Sequence, residues 1–265
     1  SPRRQGDYLP DRLADESISF IKQHREDSFF LCWWNYSVHY PIQAPEELVD
    51  KYSQRPEVKN PGYAAMIEGM DRSIGRVLSA IDDMALSNDT LVIFTSDNGS
   101  LFGNSPLRAN KGHLYEGGIR VPLIVRWPGK VEPATICATP VITTDTFPTI
   151  LDAVGLQLES EVTCDGESLV PLIRERGTLK RRSLYFHYPN YAFHKQNRLG
   201  GAIRQGKFKL IRWYDDDSNE LYDLEKDIGE TTDLAAQMPD LVLELSQQLS
   251  EWLVKTNAHM PTVVR

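Results

Sequence analysis

Two continuous apolar runs with an amphipathic segment between them constrain the fold of this chain more than any other feature. The runs are Ser28–Trp34 and Thr90–Thr95, and neither alternates apolar with polar side chains. Such runs are typical of strands buried on both faces, as in a parallel sheet between two helix layers. Between them, Ile67–Met84 repeats apolar residues every three or four positions, which predicts a helix. The order strand, helix, strand predicts a βαβ unit with parallel strands.

Further segments continue this α/β pattern. Pro10–His24 predicts a helix with one apolar face, and Ile119–Trp127 predicts another strand. Val141–Leu156 predicts a strand followed by a helix, with Asp145 at the N-cap and Gly155 at the C-terminal end. The predicted fold class is therefore α/β, with a partial, mostly parallel sheet sandwiched by helices.

The pattern changes near residue 178, where short segments with alternating polarity begin. These predict the strands of a small antiparallel sheet, and they are Ser183–His187, Gly201–Arg204, Lys207–Trp213 and Glu220–Leu224. Arg204–Lys207 contains a glycine and predicts a hairpin turn. Pro239–Lys255 predicts one amphipathic helix that covers the sheet. We therefore predict two domains, residues 1–177 and residues 178–265, the second being an α+β subdomain.

Composition and charge exclude several classes of protein. With 37 acidic and 29 basic side chains the formal net charge is −8, which argues against a general binder of nucleic acid or of anionic membranes. The longest apolar run, Phe29–Trp34, is too short for a transmembrane segment. The three cysteines lack the spacing of a zinc site, and Cys32, within an apolar run, is expected to be a small core residue.

The sharpest local feature is Asp97-Asn98-Gly99, which directly follows an apolar strand. Carboxylate and amide oxygens are hard ligands that suit Ca²⁺ or Mg²⁺ when other carboxylates converge on them. The alternative is a turn, since Asn-Gly is a common hairpin sequence. A hairpin needs a partner strand immediately downstream, whereas residues 100–110 are irregular and polar, so both interpretations stay open.

Two further segments carry candidate site residues. Lys111 lies between Asn110 and Gly112, and a Gly-Gly pair follows at 117–118, a pattern that allows the backbone close to a ligand and presents a cation to an anion. His39 lies in the polar loop after the first apolar run, where α/β proteins place their sites. Taken alone, such a lysine is by default a solvated surface residue, and a loop histidine is more often structural or merely exposed.

In combination, these segments resemble the sulfatase family of the alkaline-phosphatase superfamily, in particular the arylsulfatase-like type I sulfatases. The stretches that carry the resemblance follow one another along nearly the whole chain. They are Phe29–Pro45, Leu91–Gly99, Pro106–Pro122, Trp127–Gly129, Thr143–Pro148 and Glu220–Glu230. The resemblance implies an alkaline-phosphatase-like fold and metal-dependent hydrolysis of aryl or carbohydrate sulfate esters.

The resemblance also implies roles for single residues. Asp97 and Asn98 match two ligands of a divalent metal ion, usually Ca²⁺ with Mg²⁺ as the alternative. Lys111 matches the lysine that binds the sulfate group, and His39 matches the histidine near the leaving-group oxygen. Each of these roles suits a reaction in which negative charge develops on the ester oxygens.

The sequence departs from the family at its nucleophile. The family uses a formylglycine made within a C-x-P-x-R signature, and neither this signature nor the family's upstream Asp-Asp pair of metal ligands is found. The chain therefore resembles the C-terminal part of such an enzyme, and we expect its partner to be the missing N-terminal part and the chain alone to be inactive. The resemblance implies an extracytoplasmic location, whether secreted, periplasmic or lysosomal.

Further histidines lie where the family completes its substrate cleft. His187 and His194 flank Tyr191, and they are candidates for binding the sulfate ester substrate, including a sulfated carbohydrate whose sugar faces could stack on the aromatic ring. Packing at a strand edge is an equal alternative. His113 follows Lys111 closely but falls at a variable position of the family.

Two rival functions stay open at this point. A phosphodiesterase or phosphonate hydrolase of the same superfamily shares the metal scaffold and differs in its contacts to the anion. A non-catalytic metal-binding or glycan-binding module needs no C-x-P-x-R segment at all.

Overall fold

The structure is a computed structural model that describes residues 7–159, 161–175, 177–191, 194 and 196–262. The chain divides into two compact units, the first formed by residues 1–91 with 127–129 and the second by residues 92–126 with 130–265. This division differs from the two predicted domains, 1–177 and 178–265, which stay a prediction. Across the described residues, no helix combines the length and the apolar composition needed to span a bilayer.

The first unit is built from three helices, and two of them pack on the third. They are α1 (Leu9–Gln23), α2 (Glu46–Ser53) and α3 (Pro61–Asp83), with a 3₁₀ turn at Ser87–Asp89. Pro10 is the second residue of α1 and Pro61 the first of α3, positions where a missing N–H costs no hydrogen bond. Both predicted helices are thus confirmed.

The buried face of α3 agrees with the predicted apolar repeat only in part. It consists of Ala65, Met66, Gly69, Ser73, Val77 and Ile81, whereas Ile67, at the start of the predicted repeat, is 41% exposed. A Cβ on Gly69 would lie 2.6 Å from the hydroxyl of Tyr8, so glycine is what allows this close approach. Packing against a neighbour, rather than the largest apolar residues, therefore decides which face is buried.

The first apolar run, Ser28–Trp34, is not a strand, and this corrects the predicted βαβ unit. Its side chains alternate between half-buried and exposed, with Phe30 68% and Trp34 86% exposed. A strand requires a hydrogen-bonded neighbour, and no described residue pairs with this run. The expectation that Cys32 is a core residue is also wrong, because its side chain is exposed.

The second unit begins with a two-stranded sheet. Strand β1 (Val92–Thr95) and strand β2 (Leu123–Arg126) confirm two predicted strands, and they pair antiparallel with Val92 opposite Arg126. The intervening chain is a long loop with one short helix, α4 (Glu116–Ile119). Because it turns back instead of crossing over the sheet, the pair is antiparallel. No parallel pair forms among the described residues.

The segment Val141–Leu156 forms a helix without the predicted strand before it. A 3₁₀ turn, Thr143–Asp145, leads into α5 (Thr146–Ala153), and Gly155 follows with a φ of +75° as predicted. Asp145 stands at the N-cap of α5, but its side chain does not cap the helix. Both of its oxygens instead accept hydrogen bonds from Arg181, at 2.6 and 2.7 Å. A short helix, α6 (Val170–Glu175), follows.

The four predicted C-terminal strands and their covering helix are confirmed. The antiparallel sheet has the order β3 (Ser183–Tyr188), β4 (Gly200–Gln205), β5 (Phe208–Trp213) and β6 (Asn219–Asp223), and α7 (Pro239–Lys255) follows. Gly206, at the predicted hairpin turn, has a φ of +58°. Three leucines of α7 pack on one face of the sheet, and they are Leu245, Leu249 and Leu253.

The opposite face of this sheet packs on the segment that precedes α4. Leu114 and Tyr115 share a buried cluster with Ala202, Ile211 and Trp213. The sheet is thus apolar on both faces, and one face supports the part of the chain that carries Lys111.

Candidate functional site

Asp97 and Asn98 lie in the turn directly after β1, with Asp97 exposed and Asn98 half-buried. The side-chain nitrogen Nδ2 of Asn98 donates a hydrogen bond to Asp97 Oδ2, and Ser96 Oγ lies 3.4 Å from Asp97 Oδ1. Ser96 Oγ also donates to the carbonyl oxygen of Asn98 at 3.2 Å. The carboxylate and the amide are therefore held side by side at the end of the strand.

This turn is fixed to the chain around Lys111, which we call the lysine loop (residues 99–118). Gly99 N donates to Gly118 O at 2.9 Å, and Lys111 N donates to Ser100 O at 3.1 Å. A Cβ on Gly99 would lie 1.8 Å from Gly117 O, so only glycine fits at this contact. The structure thus brings the predicted Asp97, Asn98 and Lys111 into one cluster of loops.

The side chain of Asn104 links three segments of the lysine loop by hydrogen bonds. Its Nδ2 atom lies within 3.4 Å of three backbone carbonyl oxygens, those of Ser100, Ala109 and Gly117. Asn110 adds a hydrogen bond from Nδ2 to Leu101 O at 3.3 Å. The sequence analysis did not predict this role of Asn104, because its three acceptors lie 4, 5 and 13 positions away and follow no regular pattern. An asparagine within a glycine-rich loop was a weak signal for it.

The side chain of Lys111 is half-buried, and no described residue forms an ion pair with its ammonium group. His113, nearby, is bonded through Nδ1 to Asn110 O at 3.0 Å. Burial lowers the pKa of His194, and the positive charge of Lys111 and the proximity of His113 lower it further. A free cation beside a neutral imidazole provides a setting in which an anion is attracted and a hydrogen bond can be offered.

His194 packs on Gly112, the residue after Lys111. Gly112 has a φ of +85°, and a Cβ there would lie 2.2 Å from His194 Cδ2. Asn197 Nδ2 donates to the carbonyl oxygen of Gly112. The structure therefore brings His194 together with Lys111, and it adds Asn197, which sequence reasoning did not single out.

His187 lies on β3, and both of its ring nitrogens have partners within the protein. Nδ1 lies 2.8 Å from the hydroxyl of Tyr214, and Nε2 lies 2.9 Å from His259 O. The packing alternative accounts for both contacts. The substrate-binding role of His187 stays a prediction without support from this geometry.

His39 lies in the first unit, in what we call the histidine loop (residues 35–41). Its Nδ1 atom is 2.8 Å from Tyr40 O and 3.1 Å from the hydroxyl of Tyr36. The side chain is exposed, and no described residue bonds Nε2. An imidazole held through Nδ1 with Nε2 directed to solvent is suited to contact a ligand.

The donor set at Asp97 and Asn98 fits part of a calcium site. Both side chains offer hard oxygen atoms, whereas Ca²⁺ takes about six to eight oxygen ligands. Within the part of the chain that the structure describes, no group of three or more His, Cys, Asp or Glu side chains converges to hold a metal ion. These two residues could therefore supply some ligands of the ion, and the others have to come from elsewhere.

A buried ionic cluster lies behind the lysine loop. Lys209 Nζ is 3.0 Å from Glu116 Oε1 and 2.8 Å from Glu230 Oε1, and all three side chains are at most 2% exposed. Burial opposes the charge of Glu116, but Lys209 and the nearby arginines outweigh it and lower its pKa. Burial raises the pKa of Glu230. Sequence reasoning missed these residues.

Arg108 joins the same region to β6. Its guanidinium lies 3.8 Å from the ring centre of Tyr115 and donates to the hydroxyl of Tyr222 at 2.8 Å and to Glu230 O at 2.9 Å. Both tyrosine hydroxyls donate to Glu220 Oε2. Burial raises the pKa of both tyrosines well above the ordinary value, so they stay neutral hydrogen-bond donors.

Two family models match the chain. Residues 2–156 match the model described as Sulfatase, and residues 109–258 match the model described as N-sulphoglucosamine sulphohydrolase, C-terminal. Together they extend over both compact units.

Curated relatives agree with these models. A protein named Sulfatase from Formosa agariphila is 35% identical over 95% of this chain and 51% of its own length. Arylsulfatase A from Homo sapiens is 30% identical over 92% of this chain and 46% of its own length. The chain thus spans about half the length of the curated relatives that it matches.

A solved structure supports the fold class. The structure of Ps i-CgsB in complex with k-i-k-neocarrahexaose superposes with a TM-score of 0.84 at 26% identity, covering 95% of this chain and 56% of that protein. The predicted α/β, alkaline-phosphatase-like class is confirmed by this similarity.

Proposed function

This chain belongs to the sulfatase family, and we propose that it carries part of the active site of a sulfuric ester hydrolase. The observation that supports this proposal most strongly is the joining of Asp97, Asn98 and Lys111 through backbone hydrogen bonds of the lysine loop. Two side-chain oxygen ligands and an ammonium without an ion-pair partner lie on one hydrogen-bonded group of loops. Together they would hold a metal ion and a sulfate anion side by side.

Lys111 is proposed to hold the sulfate group. Its ammonium has no ion-pair partner among the described residues, and its side chain is half-buried rather than fully solvated. A fixed positive charge that faces developing negative charge lowers the barrier most when water is excluded. The net charge of −8 does not prevent this, because local charges decide the potential in a cleft.

Asp97 and Asn98 are proposed to hold Ca²⁺, with Mg²⁺ as the alternative, together with ligands outside the described residues. Bound there, the cation would polarise the sulfate oxygens as a Lewis acid. The part played by this chain is to present the two oxygens from a turn that Gly99 locks against Gly118.

His39 is proposed to contact the leaving-group oxygen through Nε2. The contacts of Nδ1 with Tyr36 and Tyr40 hold the ring and leave Nε2 open. Nδ1 carries a proton because it faces the carbonyl oxygen of Tyr40, so Nε2 can donate when the ring is protonated. In that form it can give a proton to the departing alcohol or stabilise its charge with a hydrogen bond.

The proposed substrates are sulfated carbohydrates, with aryl sulfates as test substrates. The similarity to a structure solved with a neocarrahexaose favours a sugar. His194 packs on Gly112, the residue after Lys111, and is proposed to contact the sugar that bears the sulfate. His187 is a weaker candidate, since Tyr214 and His259 occupy both of its ring nitrogens.

The nucleophile is proposed to be a formylglycine outside these 265 residues, since they contain no C-x-P-x-R signature. The chain alone is accordingly expected to be inactive, and its partner is the part of the same enzyme that supplies this group. An extracytoplasmic location is proposed on the family resemblance.

The test is hydrolysis of an aryl sulfate by the complete protein. Lys111→Ala should lower kcat/KM by roughly 100-fold or more, since one group that stabilises charge in the transition state is lost. Lys130→Ala is the matched control, because Lys130 is an exposed lysine of the same unit, and it should retain full activity.

Two results would contradict the proposal. One is a normal rate for Lys111→Ala, and the other is faster hydrolysis of an aryl phosphodiester than of the aryl sulfate. The second result would assign the chain to the phosphodiesterase branch instead.

A further inference from the structure

Three fully buried charged side chains have no part in the proposed chemistry. Glu116, Lys209 and Glu230 are 2%, 0% and 0% exposed, on α4, on β5 and after β6 respectively. Buried charges are costly unless they are paired and hydrogen-bonded, and replacing them by apolar residues often leaves a protein as stable. A purely structural need is therefore a weak reason for this arrangement.

The cluster is connected to the lysine loop through the backbone of α4. Glu116 N donates to Glu230 Oε2 at 2.7 Å, so the carboxylate of Glu230 holds the main chain of Glu116 in place. The next amide, Gly117 N, donates to Arg108 O at 2.8 Å, and Gly118 O accepts from Gly99 N at 2.9 Å. The position of Glu116 therefore determines where the Gly117-Gly118 pair lies.

The Gly-Gly pair in turn contacts both sides of the site. A Cβ on Gly118 would lie 2.1 Å from His113 O and 2.8 Å from Asn110 O, so this pair lies tightly against the backbone on either side of Lys111. A Cβ on Gly99 would lie 1.8 Å from Gly117 O, on the side of Asp97 and Asn98. A displacement of α4 would consequently move the ammonium and the two oxygen ligands.

The charges around Glu116 hold it from several elements. Lys209 on β5 lies 3.0 Å from Oε1, while Arg120, after α4, and Arg204 on β4 lie 3.4 and 3.7 Å from Oε2. These cations outweigh the effect of burial and lower the pKa of Glu116, so the carboxylate is ionised. Glu116 is thus fixed at its carboxylate by three cations and at its backbone by Glu230.

We propose that Glu116, held by Lys209 and Glu230, is a positioning residue that sets the place of Lys111 and of the Asp97-Asn98 pair through the Gly117-Gly118 backbone. It touches neither substrate nor metal ion. The inference rests on the proposed sulfatase function for its catalytic consequence, whereas the positioning itself is a property of the chain.

The first test is amide hydrogen exchange at Gly99 and Lys111 in Glu116→Gln. The amide side chain keeps the size of the carboxylate but loses its charge, so the pull of three cations on α4 weakens. Exchange at the two amides should become about tenfold faster. Asp145→Asn is the matched control, because Asp145 is also fully buried and ion-paired in this unit but lies outside the lysine loop.

The control decides between positioning and general stability. With positioning, Asp145→Asn lowers the melting temperature and leaves exchange at Gly99 and Lys111 unchanged. If both variants accelerate exchange equally, or if Glu116→Gln leaves it unchanged, the proposal is overturned. Glu230→Gln is the second variant, for the case that Glu116→Gln does not fold, and the same acceleration is expected because the hydrogen bond to Glu116 N weakens.

The second test is kinetic and uses the complete protein with an aryl sulfate and with inorganic sulfate as inhibitor. Displacement of Lys111 should raise KM and the inhibition constant of sulfate together, by about tenfold in Glu116→Gln, while Asp145→Asn changes neither. Unchanged constants in Glu116→Gln would contradict the proposal. If the wild-type protein cleaves no sulfate ester, the proposed function fails, and the exchange comparison still decides whether Glu116 positions the loop.

Discussion

The lysine loop and the histidine loop each carry a proposed sulfate contact, and they are held in different ways. The lysine loop is bonded to distant parts of its unit, through Arg108 to Tyr222 and Glu230 and through Glu116 to Lys209. The histidine loop is held by bonds within itself, as from the hydroxyl of Tyr36 to Tyr40 O and from His39 N to Tyr36 O.

Some buried side-chain atoms among the described residues of the first unit have no hydrogen-bond partner. In and beside the histidine loop, Trp33 Nε1 and Asn35 Nδ2 are buried without a hydrogen-bond partner among the described residues. Buried donors in this state cost free energy. Lys111 is thus placed by contacts that reach across its unit, whereas His39 is placed by hydrogen bonds within its own loop.

The largest loss of stability should follow from replacing Lys209, the cation at the centre of the buried cluster. Lys209→Met leaves Glu116 and Glu230 without their shared partner, so the free energy of unfolding should fall by about 3–5 kcal/mol. Urea unfolding measures it. Lys207→Met removes a partly exposed pair with Asp223 and should cost no more than about 1 kcal/mol. Equal losses would show that the buried cluster does not hold the lysine loop's unit together.

The second-largest loss of stability should follow from replacing Gly99, which joins the turn of Asp97 and Asn98 to the lysine loop. Gly99→Ala places a Cβ 1.8 Å from Gly117 O, and backbone atoms cannot yield cheaply, so we expect a loss of about 2–3 kcal/mol. Gly103→Ala is the control, since nothing lies within 4 Å of its Cβ. Thermal unfolding of both variants measures this loss. If Gly99→Ala is as stable as the wild type, the two segments are not tightly joined.

Low pH should lower the stability of the second unit, because protonation of Asp145 weakens its ion pair with Arg181. Burial opposes its charge, but hydrogen bonds from Arg181 and from the backbone outweigh burial and lower its pKa below the ordinary 3.8. A carboxyl with a lowered pKa stabilises the folded state above its ordinary pKa and loses this contribution as the pH falls through and below that value. The difference in the free energy of unfolding between pH 7 and pH 3 should therefore shrink by about 1–2 kcal/mol in Asp145→Asn.

The matched control for this pH effect is Asp165→Asn, because Asp165 is exposed. Its pH dependence should equal that of the wild type. An unchanged acid response in Asp145→Asn would contradict the assigned ion pair.

The smallest effect on stability should come from the histidine loop. His39→Ala removes an exposed side chain whose contacts are local, so the free energy of unfolding should change by less than about 0.5 kcal/mol. Thermal unfolding measures it. A loss as large as that of Gly99→Ala would show that the two loops are held alike.

Sequence reasoning predicted what local patterns encode. The alternating segments from Ser183 to Asp223 became the four strands, and the repeat after Pro239 became α7. Their motifs singled out Asp97, Asn98 and Lys111 as candidate site residues, and backbone hydrogen bonds between Gly99 and Gly118 bring these three residues together, whereas their roles stay a prediction.

The remaining features depend on contacts between residues far apart in the chain. Lys209 and Glu116 are 93 positions apart, and Glu230 is 114 positions from Glu116, so no local pattern pairs them. Ser28–Trp34 has the composition of a buried strand but no strand partner among the described residues. The antiparallel pairing of β1 with β2 followed from the path of the lysine loop, which periodicity does not reveal.

The most direct test of the difference between the two loops is amide hydrogen exchange in the unmodified protein. The amides of Gly99, Lys111 and Gly117, which donate to carbonyl oxygens of the lysine loop, should exchange about 100-fold more slowly than those of the histidine loop. Exchange at equal rates in the two loops would contradict the account.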